Sequence, residues 1–112
     1  MDVLINHVRV LTMDQANSVV EEGFVGIRDG IFGFVSEVQP RIMARRFVDG
    51  AGKTLIPLDW AQGKGIVCAD APADALLLDG LYTSETIAEA GLSALCMILR
   101  DGAICWERTS EA

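Results

Sequence analysis

Two phrases near opposite ends of the chain constrain its fold more than anything else: IRDGIFGFV at 27–35 and LRDGAICWE at 99–107. Each places Asp-Gly between two runs of apolar and β-favouring residues. Asp-Gly tolerates the positive φ values of a two-residue type I′ turn, whose twist matches that of the flanking strands. Two antiparallel hairpins are therefore expected, one around Asp29-Gly30 and one around Asp101-Gly102. The echo reflects shared turn chemistry rather than duplication, because so short a match is what two similar turns would produce.

The other segments fit the same picture. DVLINHVRVLT (2–12) alternates apolar and polar residues, with Val3, Ile5 and His7 set to share a face and Leu4 and Val8 disturbing the register. RIMARRFVDG (41–50) reads as a strand ending in a turn, and KTLIP (53–57) as a short strand stopped by Pro57, which has no N–H to donate. DALLLD (74–79) has the apolar run of a buried strand. The single helical signal is TSETIAEAG (83–91), with Thr83 or Ser84 as N-cap, Glu85 in the first turn and Gly91 as terminator; it predicts one short helix near 84–91. The fold class is mainly β: a small sandwich or flattened barrel.

Composition narrows the function. The chain has 112 residues, one domain by length, and 51% of them are hydrophobic, enough for a packed core. No apolar run approaches the roughly 20 residues that cross a bilayer. The N-terminus lacks the basic region and cleavage site of a secretory signal, so no membrane and a cytoplasmic location are expected. A net charge of −7 opposes nucleic acid as a partner, and Arg41, Arg45 and Arg46 are the one dense basic group. The three cysteines, Cys68, Cys96 and Cys105, sit among apolar neighbours without metal-ligand spacing and read as reduced core thiols.

Catalytic signals are sparse. Metal-dependent hydrolysis needs several converging ligands, and the chain has one histidine, His7, inside the first strand. Gly50–Lys53 lacks the spacing of a phosphate loop and is a turn. Asp70 and Asp74 flank Pro72 in a turn-forming stretch, and with Asp79 they lack a nucleophile. Ser84 and Ser93 have no histidine partner suggestive of a triad. No catalytic residue, metal ligand or cofactor is assigned.

The order of the phrases resembles the amidohydrolase superfamily, close to its cytosine deaminase and chlorohydrolase-like members. VLINHVRVLTMD, GFVGIRDGIFGFV and FVDGAGKTLIP resemble the opening of such chains; APADALLLD and MILRDGAICWER resemble their close. The resemblance covers nearly the whole sequence, and it implies that the two flanks fold together into a β-sandwich around an inserted catalytic barrel. Here that barrel, which needs roughly 200 residues or more, is missing. The expected organisation is one domain, 1–112, built from segments 1–57 and 66–108 and joined at 58–65, where the barrel would be inserted.

Function then divides three ways. The chain is a barrel-less, non-catalytic relative working through protein contacts; or the sandwich part of a metal-dependent hydrolase whose barrel is absent from this chain; or a small-ligand binding module using the mouth of the sandwich. For the first, loss of the covering barrel should bare apolar surface at Leu55, Ile56, Leu58, Trp60 and Ile66. A homodimer with Trp60 at or near its interface is expected, against the alternative that Trp60 folds back onto its own sandwich. Whether a small molecule binds, and which, is left open by the residues.

Overall fold

The computed structural model describes residues 1–16 and 18–108. The chain is mainly β, with eight strands among the described residues: β1 (Val3–Leu11), β2 (Val19–Arg28), β3 (Ile31–Ser36), β4 (Arg46–Asp49), β5 (Lys53–Pro57), β6 (Ala75–Asp79), β7 (Leu95–Arg100) and β8 (Ala103–Glu107). They form one mixed sheet in the order β3-β2-β1-β5-β6-β7-β8, with β4 also paired to β1. The sheet is hydrogen-bonded as an open ribbon, but it curls: side chains from all eight strands meet in one apolar cluster around Ile5, Val25, Phe32, Leu55, Leu77 and Leu99. A flat sheet could not bring these together. No helix of the described residues is long and apolar enough to cross a membrane.

Both Asp-Gly turns form as the sequence predicts. Asp29 and Gly30 have φ of 52° and 82°, Asp101 and Gly102 of 49° and 80°, the paired positive values of type I′. The turns also meet each other. A Cβ on Gly102 would lie 2.8 Å from the Gly30 Cα, so the two hairpins touch backbone to backbone. The segment before β6 fastens them: Phe32 N–H donates to the Ala71 carbonyl (2.9 Å), Ala73 N–H to that of Gly30 (2.9 Å), and Gly102 N–H to that of Ala73 (3.1 Å). Closure at this end is made by a loop, without a ladder between β3 and β8.

In the interior of the sheet, β1 changes partner along its length. Val3 to Asn6 pair in parallel with Arg46 to Asp49, and Arg9 and Val10 with Thr54 and Leu55. The switch occurs at a bulge where His7 takes a φ of 58° and the β1–β2 register shifts. The bulge corrects the expected facing. Val3, Ile5, Val8 and Val10 all reach the core, whereas His7 turns out to solvent, bonds Glu22 at 2.7 Å and meets the Phe24 ring edge-on.

Two other elements are shorter than the sequence suggests. Of the strand expected across 41–50, β4 alone forms: β1 begins at Val3, opposite Arg46, so the preceding residues have no strand beside them. The helix expected near 84–91 is a 3-10 turn, Ile87–Glu89, followed by a second, Leu92–Ala94. The Thr83 hydroxyl accepts from the Glu85 and Thr86 amides in the turn before Ile87–Glu89, but the N-cap position is Thr86, whose side chain makes no cap bond. So short a segment gains little from nucleating an α-helix. It docks through buried Ile87 instead.

Candidate functional site

The strand pairings lay out the outer face of the β5–β8 half. Ile56 stands opposite Leu76, Leu76 opposite Ile98, and Ile98 opposite Trp106, a row of four apolar residues across four strands. At its β5 end the row is covered. Leu11, Ile56, Leu78 and Ile87 form a second buried cluster under the segment after β6, with Trp60, Leu76, Tyr82 and Leu95 packed against it. Toward β8 the cover thins, and Trp106 is 44% exposed.

Between covered and open parts lies an apolar groove of about 510 Å³, walled by Trp60, Leu76, Leu78, Ala90, Leu92 and Leu95. Trp60 reaches it from a 3-10 turn, Trp60–Gln62, closed by Gly63 in the left-handed region. Leu92 stands at the rim, 89% exposed. The sequence reading found Trp60 but missed Leu76, Leu78, Leu92 and Leu95. The run Ala75–Leu78 carried the signal, since unbroken apolar character marks a strand covered on both faces.

The five residues expected at an interface are dispersed. Leu55 and Ile56 are fully buried on opposite faces of β5, Leu55 in the main core and Ile56 in the second cluster, so both are withdrawn from any partner; alternation along a doubly covered strand leaves neither side free. Leu58 and Ile66 share a hollow of about 120 Å³ with Pro72 and Asp74. Trp60 is half-buried. It folds back onto its own second cluster and still forms a wall of the groove.

A second concavity, about 400 Å³, opens between β4 and residues of β5 to β8. Its floor is core: Leu77 and Met97, each 2% exposed, and Val48 at 8%. Its rim is charged, with Lys53, Asp79 and Arg108 beside the paired Arg46 and Glu107. The guanidinium of Arg46 donates through two nitrogens to both Glu107 oxygens, the first at 2.8 Å, joining β4 to β8. Hydrogen bonding to Arg46 holds the Glu107 carboxyl below the ordinary carboxylate range, and the same bonds raise Arg46.

The remaining polar candidates serve local structure. Asp74 accepts the Asp101 amide at 2.7 Å and braces the second hairpin turn. Asp70 sits in the left-handed region with its amide on the Phe32 carbonyl. Cys68 and Cys96 are half-buried, whereas Cys105 is exposed rather than a core thiol, because β8 is an edge strand. Among the described residues no three His, Cys, Asp or Glu side chains gather at one point.

No known family model matches the chain. No curated protein matches it. Solved structures to which it is similar include triazine hydrolases. One is atrazine chlorohydrolase TrzN from Arthrobacter aurescens TC1 complexed with zinc, 24% identical over 50% of this chain and 13% of that chain, with a TM-score of 0.46. Another is a triazine hydrolase variant, 25% identical over 49% of this chain and 12% of that one, also at 0.46. The chain thus spans only a small part of the length of these enzymes.

Proposed function

We propose that the chain is the flanking β domain of an amidohydrolase-like protein with the barrel absent, and that it works without catalysis, through contact with a second copy of itself. The observation that carries this reading is the groove at the junction. The connector between β5 and β6 stands where the resemblance in sequence locates the barrel, and it delivers Trp60 to an apolar groove with Leu92 exposed at its rim. Apolar surface of this kind on a soluble protein favours a partner, most simply across a two-fold axis.

The expected result at micromolar concentration is a dimer mass by light scattering. Trp60→Ser should shift the mass toward monomer, and Leu92→Glu should do so more strongly by placing a charge at the rim. A monomer in the unaltered protein overturns the reading. Catalysis is tested separately. Purified chain should carry no stoichiometric zinc or iron; about one tightly bound ion per chain, lost on His7→Ala, would contradict a non-catalytic role.

The runner-up, a small-ligand module, is favoured by a different observation, the charged-rim cleft beneath β4. The third reading, part of a hydrolase whose barrel lies outside this chain, rests on the order of the sequence phrases.

A further inference from the structure

Three features of the cleft belong together. It has an apolar floor that the core supplies, a volume within the roughly 300–1,000 Å³ of small-molecule sites, and a carboxylate already seated at its rim. That carboxylate, from Glu107, occupies both donating nitrogens of Arg46. Among the described residues the other two cations of the rim, Lys53 and Arg108, form no ion pair. Two further acids of the lining, Asp49 and Asp79, likewise form no ion pair among the described residues, although Asp49 accepts the amide of Ala51.

We infer that the cleft binds a small amphipathic carboxylate: its anionic head displaces Glu107 from Arg46, and its apolar body lies on Leu77, Met97 and Val48. A guanidinium offers a planar fork that matches any carboxylate, so an incoming one takes over the geometry that Glu107 now fills. The pair is available for exchange. Its side chains are 43% and 37% exposed, and exposed pairs of this kind are weak. The ligand gains the apolar contact that Glu107 cannot make. The net charge of −7 opposes an anion at long range, but at physiological salt fields fade over about 8 Å, leaving the nearby cations to decide.

The inference does not depend on self-association, and its test is read on the chain whatever its mass. Octanoate is titrated into the full chain, with amide and methionine-methyl NMR shifts as readout. Saturable shifts at Met97 and along β4 and β8 are expected. The two members of the ion pair should then act in opposite directions. Arg46→Gln should weaken binding by up to about fivefold, the scale of an exposed ion pair. Glu107→Gln removes the internal competitor and should tighten binding by up to about fivefold. Lys53→Gln should weaken it less than Arg46→Gln. Cys96, in the cleft wall, gives an independent reading: in a Cys68→Ser, Cys105→Ser background, octanoate should slow its alkylation. A merely structural ion pair would make the Arg46 and Glu107 variants behave alike. That outcome overturns the inference, as does the absence of saturable shifts, or shifts centred on the Trp60 groove.

Discussion

Replacing Gly50 by alanine is expected to cost at least about 3 kcal/mol of stability and to lower the melting temperature by roughly 10 °C or more. A Cβ at this position would stand 2.5 Å from Val8 Cβ, 2.8 Å from the Asn6 carbonyl oxygen and 3.0 Å from Val8 Cα. Two of these are backbone atoms, and Gly50 N–H is itself bonded to the Asn6 carbonyl at 2.7 Å. Relief would require moving the bulge that hands β1 from β4 to β5. Val8 is fully buried, so that movement would also disturb the core. Thermal unfolding followed by circular dichroism checks this. A melting temperature within about 2 °C of the original would mean the bulge yields easily and does not fix the branch.

Phe32→Ala should cost a comparable amount, about 3–5 kcal/mol. Phe32 is fully buried and among the largest side chains in the core. Its backbone is engaged as well, donating to Ala71 and accepting from Asp70 (2.8 Å), so the residue anchors the loop that joins the two hairpin turns. The expected signature is a lower urea midpoint with the slope nearly unchanged, because the cavity lowers stability without altering the surface exposed on unfolding. Phe32→Leu should recover much of the loss by refilling volume. Equal damage from both would point to shape rather than cavity size as the cause.

These two positions differ in how far the sequence announces them. Phe32 lies in an apolar run after a turn signal, where a core residue is expected. Gly50 reads only as a turn residue in Asp-Gly-Ala-Gly. Its steric role depends on Val8 and Asn6, more than 40 positions earlier, arriving beside it through a bulge. The bulge also explains why His7 was placed on the wrong side. Strict alternation assigns it to the Val3–Ile5 face, and one inserted residue turns it outward. The candidate surface divides similarly. Trp60 was legible as a bulky indole in a Gly-rich connector. The burial of Leu55 and Ile56 was not, because it depends on what covers each face of β5.

Local chemistry in the sequence was enough to determine the mainly β character, the two Asp-Gly hairpins, the stop at Pro57 and the strand before Asp79. Each rests on residues a few positions apart: paired turn residues, alternation, an imide without its N–H. Tertiary structure alone decided that the sheet branches at β1, that the two hairpin turns meet, and that Arg46 and Glu107 close a cleft across 61 positions of sequence. Those outcomes depend on the register between distant strands, and a one-residue bulge reverses which side chains face inward.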